Sequence, residues 1–248
     1  MNDSTHYPPH ARVRVILRIL EARLGIPRQK EARALPLDML IGTLLSQNTN
    51  DRNSHRAYTK LRKRFPTWKK VAGAPVREIA AAIRVGGMKN QKSARIKALL
   101  QELKDRSGYY NLRGVEKLSD DEVIATLTRF NGIGIKTAAC VLLFSLRRNV
   151  FPVDTHVHRI CNRLGLVRTK SPDKTFEKMR PLIPAKKAYS FHTNLIRFGR
   201  SVCLARNPRC GRCPLFTLCK FRDKKEFAAN TSDGSLRRDH KFMLLDEI

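Results

Sequence analysis

Between Leu127 and Arg163 the chain reads LTRFNGIGIKTAACVLLFSLRRNVFPVDTHVHRICNR, and the Gly132-Ile133-Gly134 step inside it constrains the fold more than any other feature. Glycine permits positive φ and close backbone approach. Two glycines one residue apart therefore set a tight turn between a helix ending near Phe130 and an apolar helix running from about Lys136 to Leu146. This is a helix-hairpin-helix pattern. The amides that open the second helix lie at the positive end of its dipole and can hold a phosphate, which marks Gly132 and Gly134 as candidate phosphate contacts.

Lys136 falls in the first turn of that helix, where the dipole disfavours a cation, and a neutral amine is a nucleophile. The helix has ended by Arg147-Arg148-Asn149, and Phe151-Pro152-Val153 leads into Asp154, just before a helix-like run from Thr155 to Leu164. That order lets the chain double back so that Asp154 faces Lys136, its carboxylate held ionised by amides of the following helix. An amine beside a carboxylate suits attack on a sugar carbon that becomes positive as its base departs. Singly, Asp154 reads as a plain N-cap and Lys136 as a phosphate contact. Their joint context supports the catalytic pair.

Fifty Lys and Arg against 21 Asp and Glu give a net charge of +29, spread along the 248 residues rather than confined to a tail. Solubility alone asks for a net charge of only about 2 to 8 in a small domain. The excess points to a polyanionic partner, nucleic acid. No apolar run reaches the roughly 18 residues of a membrane span, and the start lacks a secretory pattern, so the chain is expected to be intracellular, without a membrane partner. Six cysteines in a reducing compartment argue against disulfides, and four of them, Cys203-X6-Cys210-X2-Cys213-X5-Cys219, suit thiolate ligation. Zinc is the rival there, although four-thiolate zinc sites commonly pair two short knuckles. Arg206, Arg209, Arg212 and Lys220 beside these cysteines would surround an anionic cluster with positive charge. Cys140 and Cys161 lie on apolar helical stretches and read as buried small hydrophobes.

Elsewhere the periodicity is helical and no strand alternation is convincing, so the fold class is all-α with about ten or more helices. Val13, Ile16, Leu17, Leu20 and Leu24 make residues 12–24 an amphipathic helix, and Pro36 opens a second with Leu37, Leu40, Ile41, Leu44 and Leu45. The polar run Ser46 to Asp51 can cap a helix reaching Phe65. Short helices follow around Thr67–Ala72 and Val76–Val85, with Trp68 anchoring them. Gly86-Gly87-Met88-Lys89-Asn90 is a tight turn before the helix of residues 91–106. Ser119 caps an acidic first turn, and helices near Asp173–Arg180 and Ala185–Ser201 deliver the chain to Cys203. The tail beyond Phe221 is polar and charged until FMLLDEI, and flexible, docked through Phe242 to Leu245, or an added extension are the readings it leaves open.

From about Leu35 to Cys219 the chain resembles the endonuclease III branch of the helix-hairpin-helix DNA glycosylases. FNGIGIKTA is similar to the family's hairpin with its Schiff-base lysine, and PVDTHVHRICNR to its catalytic-aspartate segment. The resemblance implies a bifunctional glycosylase/AP lyase in which Lys136 attacks C1′ and Asp154 stabilises the cationic transition state. The substrate would be double-stranded DNA holding a damaged, mismatched or abasic site, with an oxidised pyrimidine as the preferred base. Gln47 or Asn48 would fill the space left by the extruded base, and Met88, beside Lys89, would wedge into the duplex. The cysteine spacing resembles the family's [4Fe-4S] loop, with Cys203, Cys210, Cys213 and Cys219 as ligands. Residues 36–148 would form a six-helix barrel domain, residues 1–35 with 149–222 a cluster domain, and 223–248 a tail. A monomer is expected, in the cytoplasm or nucleoid if the source is prokaryotic. A thymine-mismatch or 5-methylcytosine glycosylase of the same family and a non-catalytic DNA-binding protein are the alternatives.

Overall fold

The computed structural model describes residues 8–29 and 31–229, and among them it holds twelve α-helices and no strand. Two compact units divide the chain. One takes the described residues up to Gln29 together with those from Asn149 onward, and the other runs from there to Arg148. The division thus falls after Gln29 rather than after residue 35, because Ser145 Oγ donates a 2.7 Å hydrogen bond to the Ala34 carbonyl and ties that segment to the second unit. Phe242 to Leu245 lie outside the described residues.

The hairpin unit is built on α2 (Pro36–Ser46), whose Leu37, Leu40, Ile41, Leu44 and Leu45 are all buried. Around it pack α3 (Asp51–Arg64), α6 (Lys89–Ser107) and α8 (Ile135–Cys140). The short α4 (Trp68–Gly73) and α5 (Val76–Ala82) lie against α6, and α7 (Asp120–Thr128) against α8. Local chemistry explains where these helices start. Pro36 opens α2, Asn50 accepts from the Asn53 amide at the head of α3, and Ser119 with Glu122 forms a reciprocal capping box on α7. The helix that follows the hairpin is not uniform. After Cys140 it widens into a π-helical turn, Val141–Ser145.

The other unit joins α1 (Pro9–Leu24), α9 (Thr155–Arg163), α10 (Pro172–Met179), α11 (Ala188–Ser201) and α12 (Lys224–Ala229). Helix α11 packs on both α1 and α9, burying Phe191, Leu195, Ile196 and Phe198. The buried Arg12 of α1 donates to the carbonyls of Leu164 (2.9 Å) and Leu218, so the first helix is stapled to α9 and to the cysteine loop. Helix α12 stands where only a polar tail is expected. Lys224 Nζ donates to the carbonyls of Phe216 (2.9 Å) and Cys219 (2.6 Å), and Phe227 stacks on Phe221 at 6.0 Å, which fixes this short helix on the loop.

Candidate functional site

At the hairpin, Gly132 has φ +81°, the left-handed conformation that favours glycine. Gly134 does not. At φ −100° and ψ 176° it is extended backbone heading α8, which any residue could adopt. No side chain caps α8, whereas α3, α4, α7, α9 and α10 are capped by Asn50, Thr67, Ser119, Asp154 and Ser171. The first amides after the hairpin therefore remain open to an anion. Lys136 is the second helical residue of α8 and half-buried.

In the other unit Asp154 is the N-cap of α9, its Oδ1 accepting from the Val157 amide at 2.8 Å. Cap and candidate catalytic carboxylate are thus one group. The imidazole of His156, two residues on, titrates below its ordinary value, chiefly because it is buried and further because Arg159 and Arg200 lie near, against the opposing pull of Asp154.

Three further sequence-predicted residues occupy one seam of the hairpin unit. Asn48, which follows α2, and Met88, which precedes α6, both adopt left-handed backbone, at φ 51° and 46°, and Asn48 Nδ2 donates to Met88 Sδ at 3.4 Å. Asparagine tolerates that conformation. For methionine it is an outlier, and Met88 is nonetheless 45% exposed rather than packed inward. Gln47 is turned the other way: its Nε2 donates to the Gly132 carbonyl at 3.1 Å and its Oε1 accepts from Arg95 at 3.4 Å. Of the two candidates for filling an extruded-base space, Asn48 is therefore the exposed one, while Gln47 braces the hairpin. Lys89 is exposed at the start of α6.

Cys203, Cys210, Cys213 and Cys219 line one pocket, together with Arg163, Phe198, Val202 and Phe221. The cysteines' single X2 pair, flanked by X6 and X5 gaps, differs from the two short knuckles common in four-thiolate zinc sites. Burial pushes the Cys213 thiol up to about 12, and burial and the neighbouring sulfurs raise Cys210 and Cys219 as well. Four thiolates here require a positive core between them. Arg163 supplies what the sequence reading missed: it reaches Cys203 Sγ at 3.5 Å, donates to the Leu204 and Ala205 carbonyls, and stacks 4.3 Å from the Phe221 ring. Of the basic residues expected around a cluster, Arg209 lines the cavity, whereas Arg206, Arg212 and Lys220 do not. Cys140 and Cys161 are buried, and burial raises the Cys161 thiol far above its ordinary value.

Comparison with known proteins agrees with this geometry. Residues 41–185 match the family described as HhH-GPD superfamily base excision DNA repair protein, and residues 203–219 match the iron-sulfur binding domain of endonuclease III. Endonuclease III of Thermotoga maritima is 35% identical over 186 residues, covering 75% of this chain and 83% of that one. A DNA-glycosylase-like protein of Arabidopsis thaliana is 40% identical over 165 residues, covering 66% of this chain, which spans 56% of that longer protein. A solved endonuclease III trapped covalently on DNA superposes with a TM-score of 0.74 at 27% identity, over 88% of this chain and 97% of that one. A thermostable thymine-DNA glycosylase, 21% identical, shares the fold with a TM-score of 0.72. The chain belongs to the endonuclease III branch of the HhH-GPD superfamily of base excision DNA repair proteins, a family of DNA glycosylases and AP lyases, and its cofactor is a [4Fe-4S] cluster.

Proposed function

We propose that this DNA glycosylase/AP lyase acts as a monomer on double-stranded DNA, in whichever compartment holds that DNA, and removes an oxidised pyrimidine with Lys136 as nucleophile and Asp154 as electrostatic partner. The observation that carries the reading is the half-buried Lys136 in the first turn after the Gly132 hairpin, on a helix start left without a side-chain cap. The target nucleotide is first extruded, since C1′ is not accessible in the stack. Met88 wedges between base pairs, Asn48 fills the space left behind, and the amides after Gly132 and Gly134 and the Lys89 ammonium hold the backbone. The Lys136 amine then forms a bond to C1′ as the C1′–N bond breaks, and the departing base keeps the electron pair and takes up a proton. Asp154 stabilises the positive charge that develops on the sugar. Ring opening gives an iminium, loss of a C2′ proton expels the 3′-phosphate, and water releases the lysine. The four cysteines hold the cluster, which supplies structure to the loop and no step of this chemistry.

Borohydride should trap the protein on abasic DNA, and Lys136→Gln should abolish trapping while DNA binding persists. Undiminished trapping in that variant would assign the nucleophile elsewhere. Asp154→Asn retains a good N-cap, so stability should hold while excision falls by about 10². Unchanged excision would reduce Asp154 to a cap. Duplexes with single lesions, including thymine mismatches and 5-methylcytosine, test the preferred base; preference for either of these would overturn the oxidised-pyrimidine reading.

A further inference from the structure

Lys92 lies on α6 and is only 1% exposed. Its Nζ donates to the Leu45 carbonyl at 2.7 Å and to the Gly86 carbonyl at 2.8 Å. The first acceptor belongs to the last turn of α2 and the second to the 3₁₀ turn Arg84–Gly86, so each is a carbonyl at the negative end of a helical segment. A buried ammonium is costly, and apolar side chains would fill the same volume at less expense. Burial pushes Lys92 down to about 8. Retention of a polar group in such a place calls for a geometric reason.

The chain itself supplies one. Three residues after Leu45 comes Asn48, and two after Gly86 comes Met88, the strained pair whose side chains meet at 3.4 Å. A Cβ added at Gly86 would lie 3.0 Å from Ala57 Cβ and 4.0 Å from the Leu45 carbonyl oxygen, so the base of the second loop is pressed against α3 with the end of α2 close by. We propose that Lys92 is a positioning residue for base extrusion, a buried clasp that sets the spacing between the Asn48 loop and the Met88 loop. It touches neither DNA nor the reacting atoms. The proposal rests on the reading that Asn48 and Met88 enter the duplex.

Lys92→Met keeps the length and the apolar stem of the side chain and removes both donors. Excision from a lesion-containing duplex should fall about 10- to 100-fold, the scale of a displacement near 1 Å. Strand cleavage of a single-stranded abasic oligonucleotide should stay within about threefold, since without an opposing strand there is no stack to wedge and no void to fill. A 2-aminopurine placed opposite the lesion should lose its fluorescence change on binding. Equal loss on both substrates, or full retention of duplex excision and of the fluorescence signal, would overturn the clasp.

Asn48→Ala with Met88→Ala tests the underlying reading separately. If that pair leaves duplex excision and fluorescence intact, the loops do not enter DNA whatever Lys92 does. If the pair is impaired, adding Lys92→Met to it should cost little more, because the clasp acts only through those loops; a full additional loss refutes the proposal. Should Lys92→Met fail to fold, Lys92→Gln, which keeps an amide donor, replaces it, and failure of both variants to fold makes Lys92 a scaffold residue and ends the proposal.

Discussion

Gly132 and Gly134 look equivalent in sequence and differ in the structure, so substituting each with alanine separates backbone strain from DNA contact. At Gly132 a side chain must accept φ +81°, at about 1 to 2 kcal/mol. Its Cβ would also lie 2.7 Å from Arg95 Cδ and 2.8 Å from Arg95 Nε. The guanidinium must therefore swing away and forfeit its 3.4 Å contact with Gln47, worth about 0.5 kcal/mol. Alanine recovers about 0.4 to 1 kcal/mol through the unfolded chain, which leaves a net loss near 1 to 2 kcal/mol. At Gly134 nothing lies within 4 Å of an added Cβ and the backbone is extended, so no loss is expected. Trp68 is the chain's one tryptophan and sits in the hairpin unit, so its fluorescence in urea reports from that unit. With a slope of about 2 kcal/mol per M, Gly132→Ala should lower the midpoint by about 0.5 to 1 M, and Gly134→Ala should leave it in place. Gly134→Ala should still weaken binding to all duplexes alike, because its methyl group stands where a phosphate would approach the open amides. Equal midpoints for the two variants, or a Gly134→Ala protein that is destabilised yet binds normally, would refute the reasoning.

DNA affinity should fall steeply with salt even for undamaged duplex, with a log-log slope of several units, since basic groups displace counterions at the phosphates; a flat response in a titration from low to high salt contradicts a phosphate-reading surface. The purified protein should be straw-brown with about four iron atoms per chain, and serine at Cys203, Cys210, Cys213 or Cys219 should lower the melting of its own unit while leaving the Trp68 transition unchanged. His156 titrates below its ordinary value in the fold, so its stabilising contribution is present above about pH 6.5 and is lost as pH falls through that depressed value. Melting of His156→Gln between pH 7.5 and 5 should accordingly be flatter than that of the parent protein, and parallel curves would count against this.

Helix starts were legible because they are written locally. Ser119 with Glu122, Asn50 and Pro36 each announce a helix within four residues, and the leucine period of α2 identifies the central helix before any contact is known. What the sequence hides is set by distant partners. The polar stretch after Phe221, whose state the sequence leaves open, begins with α12 because Lys224 and Phe227 find the cysteine loop, and a polar composition carries no sign of those acceptors. Of the positive charge facing the sulfurs, Arg209 lies between the ligands, but Arg163 comes from α9, 40 residues before Cys203, where no local pattern announces it. Left-handed backbone at Met88 was equally invisible, since methionine gives no local reason for it.

The residues assigned to DNA share one mode of support. Asn48, Met88 and Gly132 stand on turns with left-handed backbone, and none of the three is itself buried as an anchor. Their positions are fixed from behind by long polar side chains reaching main-chain carbonyls: Lys92 to Leu45 and Gly86, and Gln47 to Gly132. A hydrogen bond to a carbonyl fixes distance and direction, which apolar contact does not. The apolar core of α2 and these polar braces therefore answer for different properties. Trimming Leu40 or Leu44 should lower stability by about 2 to 5 kcal/mol and leave excision by the folded fraction unaltered, whereas removing a brace should alter excision in protein that remains folded.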